Sequence, residues 1–266
     1  MKRELIVHRD PKSPISETFR TLRTNIQFMY TGKEMKTLLV TSTMPGEGKS
    51  WTSSNLAVAF AQSNKKVLLI DGDMRKGKQY KIFRINPVPG LSNYLSGIDE
   101  DGCMTEKRIT EFVQPTEVSN LYVIPSGNIP PNPSELLDSQ RMIKMIEELK
   151  SIFDIVIFDG APCALVSDSI ILSRLTDLTI IVAQHNSTKK DELLKTKMQI
   201  QNVGGKIAGV VLNKIPISAK KYETSYYYGG SQDSAVKKMP KAKRMMSSES
   251  DQTKVKRGRP KKSYEN

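Results

Sequence analysis

Cysteine, histidine and tryptophan are nearly missing from this chain: its 266 residues carry two, two and one of them. Two cysteines cannot build a disulfide framework, so Cys103 in a polar stretch and Cys163 just past an apolar run read as thiols of a reducing compartment. His8 and His185 have no metal-ligand spacing with either cysteine, and ordinary polar roles are expected of both. No apolar run approaches the roughly 18 residues that a membrane span needs. Met1 to Asp10 is mixed and charged, unlike a leader, so a cytoplasmic protein is expected. After Ile217 there is no Leu, Ile, Phe or Trp. That stretch cannot bury enough apolar area to offset its ordering entropy, and residues 219–266 are expected to form a disordered tail.

Positive charge, by contrast, is abundant and unevenly placed. Lys237 to Asn266 holds eleven Lys or Arg against three acids, a net +8 of the formal +13. The tail is a separate electrostatic object, and such runs are more often solvated, or bind phosphates and anionic lipid without selectivity.

Three segments carry chemistry, in a set order. Thr41-Ser42-Thr43-Met44-Pro45-Gly46-Glu47-Gly48-Lys49-Ser50 follows an apolar run and precedes a stretch of small residues. Backbone N–H groups at such a helix start can point at phosphate oxygens, Lys49 would reach the terminal phosphates, and Ser50 would ligate magnesium. Leu69-Ile70-Asp71-Gly72-Asp73-Met74-Arg75 and Phe158-Asp159-Gly160-Ala161-Pro162 place carboxylates directly after apolar strands, where parallel α/β sheets bind ligands. Asp71, Asp73 and Asp159 are therefore expected to converge on one metal–phosphate site with ATP and Mg2+. Thr43 stands where the strict phosphate-loop pattern asks for glycine. The two downstream carboxylate motifs outweigh that departure.

Apolar, β-branched runs at 37–41, 66–71, 121–125, 154–159, 178–183 and 207–213 predict buried parallel strands. Helical stretches separate most of them, which predicts an α/β doubly wound, mostly parallel sheet of the P-loop NTPase type. Asn132 and Glu135 have capping-box spacing around Pro133, so one helix is expected from Pro133 to Lys150. The expected organisation is an N-terminal segment at 1–36, a nucleotide-binding core at 37–218 and the tail at 219–266. In the first segment Ser13 caps a helix with Pro14 at its first position. Glu17, Arg20 and Arg23 then share one face, opposite Ile15, Phe19, Leu22 and Ile26. Spacing alone reads that face as solvated, with a weak Glu–Arg pair.

Glu17-x-x-Arg20-x-x-Arg23, Pro45 to Ser50, Asp71-x-Asp73-x-Arg75, Pro130-Pro131-Asn132-Pro133-Ser134-Glu135-Leu136-Leu137 and Asp159-x-x-Pro162 together resemble the bacterial tyrosine kinases, or BY-kinases, over roughly residues 10–230. The chain is similar to the separate cytoplasmic kinase subunits of capsule and exopolysaccharide loci. The resemblance implies a transmembrane activator, or chain-length-determinant protein, that brings the kinase to the inner face of the membrane and completes the nucleotide site. It also implies a cognate tyrosine phosphatase and ring-like self-association through Glu17, Arg20 and Arg23. A C-terminal tyrosine cluster would be phosphorylated between subunits. Five of the nine tyrosines do lie beyond Lys221, namely Tyr222, Tyr226, Tyr227, Tyr228 and Tyr264, in a region with no core to join.

The ATP-binding set is expected to run from Pro45, Gly46, Glu47 and Gly48 through Lys49 and Ser50 to Trp51, with Asn213 resembling an adenine-edge contact. Ser50, Asp71 and Asp159 are the expected magnesium residues. A tyrosine hydroxyl has a pKa of about 10 and must lose its proton on attack, which suits a nearby carboxylate. The resemblance makes Asp71 the first candidate and Asp73 the second. Arg75 either orients phosphate or carboxylate through its planar fork or forms an ordinary surface ion pair. Gly77, where many relatives carry proline, suggests a mobile loop after Arg75. A partition-type ATPase that binds DNA or membrane through its basic tail shares these motifs, and Lys256 to Lys262, with Arg257-Gly258-Arg259-Pro260 at its centre, has the look of a minor-groove AT-hook. Met44 occupies the position of that class's signature lysine and argues against it. A non-catalytic nucleotide-binding scaffold is disfavoured because binding alone does not need Lys49, Ser50 and all three aspartates.

Overall fold

The computed structural model describes residues 5–29, 34–98, 101, 103–104 and 106–216. The tyrosine cluster, the basic run and the expected tail lie outside them. Among the described residues no helix is long and apolar enough to cross a membrane.

The chain opens with α1 (Ile6–Arg9) and α2 (Pro14–Met29), then β1 (Thr37–Ser42), α3 (Lys49–Ala61) and β2 (Val67–Asp71). It continues through α4 (Gln79–Phe83), α5 (Leu91–Ser96), a 3-10 turn (Ile109–Phe112), β3 (Gln114–Pro115) and β4 (Leu121–Ile124). The last part is α6 (Pro133–Leu137), α7 (Gln140–Ile152), β5 (Ile155–Pro162), α8 (Asp168–Leu175), β6 (Leu178–Gln184), α9 (Lys190–Asn202) and β7 (Ile207–Asn213). The strands form one seven-stranded sheet in the order β3-β4-β2-β5-β1-β6-β7. Its pairs are parallel except β3 with β4. All six expected strands are present, in the doubly wound, mostly parallel sheet that the motif order predicts.

β1, β2 and β5 are buried at every position, which explains why their sequences are unbroken apolar runs rather than alternating ones. Side chains still alternate between faces: Leu38 and Val40 join one core with α2 and α3, and Leu39 joins the other with α7 and α8. α3 is enclosed between the sheet and α1–α2, and its small residues, among them Ser53, Ser54, Ala57, Ala59 and Ala61, are buried. Small side chains let a helix sit between two layers without forcing them apart.

Three local expectations change. β5 does not stop at Asp159 but runs to Pro162, with an irregularity in its pairing to β1 between Val40 and Ser42. The single helix expected from Pro133 to Lys150 is two helices. Ser139 is extended and caps the second, its Oγ accepting from Met142 N at 3.2 Å, and the break lets Leu137 and Met142 both be fully buried. Asn132 makes no side-chain cap; its amide donates to Glu135 Oε2 at 2.9 Å instead. The third change concerns Gly77. Amides of Lys76 and Lys78 are tied to the Asp73 and Asp71 carboxylates at 3.0 and 2.7 Å, and a Cβ at Gly77 would collide with Ser126 and stand 2.8 Å from Asp71 Oδ2. Tied to two carboxylates and passing close to Ser126, the turn is held in place.

At the N-terminus Ser13 Oγ accepts from Ser16 N at 3.2 Å, and Phe19 and Ile26 are buried. Glu17 and Arg20 form an exposed pair at 2.7 Å. Arg23 behaves differently: its guanidinium donates to Ala59 O near the end of α3 at 3.0 Å, a favourable place for a cation. Within this chain the three residues are thus divided between solvent and α3.

Candidate active site

Sheet order builds the site. Because β5 lies between β1 and β2, Asp71 and Asp159 become register partners at the carboxyl ends of their strands, with the loop after β1 alongside. Lys49, the first residue of α3, extends its ammonium to Asp73 Oδ2 at 2.9 Å, with Asp159 Oδ1 at 3.9 Å and Ser50 Oγ at 3.4 Å. Lys49, Ser50, Asp71, Asp73 and Asp159 are thereby brought together, all buried.

The loop itself is braced from the far side of the sheet. Gly48 has φ +102° and a Cβ there would collide with the Asn213 amide, so two independent constraints demand glycine. Asn213 Nδ2 donates to Glu47 O at 2.9 Å, and Lys214 Nζ donates to Gly46 O at 2.7 Å and to Gln184 Oε1 at 2.8 Å. The Glu47 carboxylate accepts from Met44 N at 2.8 Å and from the Thr188 hydroxyl. The Glu47 side chain is therefore committed to holding the loop. Pro45 and Gly46 are exposed at its tip, and Trp51 packs edge-on against Phe19 of α2 with ring centroids 5.2 Å apart.

Arg75 is held aside. Its guanidinium makes a two-pronged contact with the fully buried Asp168 at 2.9 and 3.2 Å, and Ser134 Oγ donates to the same carboxylate at 2.7 Å. The hydrogen bond to Asp168 is the main reason the guanidinium is held above its ordinary pKa. In this structure the planar fork of Arg75 grips a carboxylate, that of Asp168, and among the described residues it reaches no other acidic group of the site by hydrogen bond. Asp168 and Ser134 join the site through it. Asp168 lies 93 residues from Arg75, so no local pattern could reveal the pair.

Electrostatics follow from three buried carboxylates facing one ammonium. Burial would lower the Lys49 pKa, but Asp159 and then Asp73 more than offset it, and the ammonium is held above its ordinary value. Burial is also the largest influence on Asp71. With the Asp159 charge it pushes that carboxyl up to about 7, against the Gln79 amide and Lys49, which pull it down.

Whether these residues suit a divalent cation can be judged from their oxygens. Asp71 Oδ2 accepts from Lys78 N and Gln79 N at 2.7 and 2.9 Å, and Asp159 Oδ2 accepts from Gln79 Nε2 at 2.8 Å. Their Oδ1 atoms are buried without a hydrogen-bond partner. Two buried carboxylate oxygens without a hydrogen bond, with Ser50 Oγ near the same Lys49 ammonium as Asp159, suit a hard, oxygen-seeking ion. Among the described residues no group of three His, Cys, Asp or Glu could hold a metal by itself. The ion's remaining ligands would be phosphate oxygens and water, the usual preference of Mg2+.

Comparisons with known proteins agree with this geometry. A family model described as an AAA domain matches residues 35–206. The tyrosine-protein kinase YwqD of Bacillus subtilis (strain 168) is 38% identical over 238 residues, covering 90% of this chain and 96% of that protein. Among solved structures, the chimerical protein CapA2B2 is 40% identical with a TM-score of 0.74, covering 80% of this chain and 91% of the other. The kinase domain of the Escherichia coli tyrosine kinase ETK is 32% identical with a TM-score of 0.75, covering 81% of each chain. Similarity of this extent across nearly the whole length of a named kinase settles the family: this chain belongs to the bacterial tyrosine kinases.

Proposed function

We propose that this protein transfers the γ-phosphoryl group of ATP to tyrosines of its own C-terminal segment, in a neighbouring subunit, as the cytoplasmic kinase of a capsule or exopolysaccharide locus. The observation that carries the reading is the convergence of Lys49, Asp71, Asp73 and Asp159 at the ends of β2 and β5, next to a phosphate loop. In the reaction the tyrosine oxygen attacks Pγ, the bond from Pγ to the ADP oxygen breaks, and the phenolic proton passes to a carboxylate. Asp71 is the first candidate for that carboxylate and Asp73 the second, both standing at the end of β2 beside Lys49. Amides from Gly46 to Ser50 hold the phosphates, and Lys49 leaves Asp73 to follow the migrating charge. Mg2+, when bound by Ser50 and Asp159 with Asp71 close by, would neutralise charge on the phosphate oxygens.

Tyr222, Tyr226, Tyr227, Tyr228 and Tyr264 are the proposed acceptors. Glu17 and Arg20 face solvent as an interface would require, whereas Arg23 would have to leave Ala59 to join them. A transmembrane activator would hold the kinase at the inner face of the membrane, and a cognate phosphatase would reset it. With ATP, Mg2+ and the activator's cytoplasmic segment, Lys49→Met should abolish phosphorylation of the tail tyrosines, mapped by mass spectrometry. Undiminished phosphorylation would overturn the assignment.

A further inference from the structure

Gln79 belongs to none of the motifs that point to the site, yet it touches Asp71, Asp159 and Ser50. It is fully buried at the first position of α4, eight residues after Asp71. Its backbone N–H donates to Asp71 Oδ2 at 2.9 Å. Its side-chain Nε2 donates to Asp159 Oδ2 at 2.8 Å and to Ser53 Oγ at 3.1 Å, and lies 3.3 Å from Ser50 O. Its Oε1 accepts from Ser54 Oγ at 2.8 Å, which fixes which end of the amide faces Asp159. One residue thus occupies the same oxygen of two different carboxylates.

The consequence lies with the oxygens it does not touch. A carboxylate free to rotate offers either oxygen, or both, to a cation. With Oδ2 of Asp71 and Asp159 occupied from behind, each offers only Oδ1, and both Oδ1 atoms are buried without a hydrogen-bond partner, that of Asp159 lying 3.9 Å from Lys49 Nζ. We infer that Gln79 is the positioning residue of the magnesium site, aligning Asp71 and Asp159 so that their Oδ1 atoms face the cation carried by the nucleotide. The inference rests on the magnesium–ATP reading above and deepens it. Gly77 contributes to the same device. The turn from Asp71 to Gln79 passes so close to Ser126 and Asp71 that a Cβ at Gly77 would stand within 2.8 Å of both, and glycine lets the chain return to Gln79 without displacing them. Positioning partners of metal ligands typically change metal affinity by about 10–100-fold when removed.

The test uses the full chain and reads metal binding separately from activity. Mn2+ binding in the presence of ADP is titrated by electron paramagnetic resonance, and ADP binding without divalent metal is measured by calorimetry. In Gln79→Met, which keeps length but loses the amide, Mn2+ affinity should fall by about 10-fold or more. Metal-free ADP affinity should stay within about twofold of wild type. Gln79→Asn, which keeps the amide but withdraws it by one methylene, should show the same selective loss and serves if the methionine variant does not fold. Unchanged Mn2+ affinity in a folded variant, or an equal fall in metal-free ADP affinity, would overturn the proposal and make Gln79 a packing residue. A wild-type protein that bound no Mn2+ with ADP would instead sink the magnesium–ATP reading itself.

Discussion

Replacing Asp71 by Asn should make the metal-free protein more stable while removing its kinase activity, and the gain should grow with pH. Asp71 is fully buried beside Asp159, and its carboxyl is raised from 3.8 to about 7. A carboxyl with a raised folded pKa keeps its proton longer in the native state than in the unfolded one. Between pH about 4 and about 7 the native protein therefore binds more protons, and stability falls as pH rises, by at most about 1.4 kcal/mol per unit. The full gap of roughly three units corresponds to a penalty on the order of 4 kcal/mol above pH 7. Asn escapes it. Its Oδ1 can accept from the Lys78 and Gln79 amides as Asp71 Oδ2 does, and its Nδ2 takes the place of the orphaned oxygen. Urea unfolding followed by circular dichroism, without nucleotide or divalent metal, should show the advantage of Asp71→Asn widening by about 2–3 kcal/mol from pH 5 to pH 8. Mg2+ with ADP should narrow it, because only wild type gains from a cation beside the carboxylate. A difference that stayed constant across the pH range would refute the electrostatic account of this site.

Two further substitutions test the scaffold. Gly48→Ala places a Cβ at φ +102° and against the Asn213 amide, so affinity for a fluorescent ADP analogue should fall more than about tenfold while the fold survives; wild-type affinity would count against the role of this loop. Asp168→Asn weakens the two-pronged contact with Arg75 and should cost about 1–2 kcal/mol in thermal unfolding. The loss should largely vanish in an Arg75→Met background, and a loss of equal size there would show that the pair is not its source.

Much of the scaffold was legible because its signals are local. The central strands are buried on both faces, so each announces itself as an unbroken apolar run, and the phosphate loop and carboxylate motifs sit where such runs end. What was hidden depends on pairing across the chain. Gln79 follows a short basic stretch with no pattern of its own, and its importance appears only once β2 and β5 lie side by side. The Arg75–Asp168 contact is equally non-local. The break at Ser139 escaped notice for another reason. Apolar residues continue through it at near-helical spacing, and a one-residue slip is hard to see until Leu137 and Met142 are both found in the core. Arg23 shares its helical face with Glu17 and Arg20 by spacing, but its long side chain can fold back to a carbonyl that spacing cannot show.

The brace of the phosphate loop also bears on where this protein can be cut. Asn213 and Lys214, which grip Glu47 and Gly46, lie only nine and eight residues before Tyr222. A shortened version intended to remove the acceptor tyrosines must keep Lys214, because ending the chain at Leu212 would also unfasten the loop. Lost activity in such a fragment would then report a slackened ATP site, and would be mistaken for a requirement for the tail.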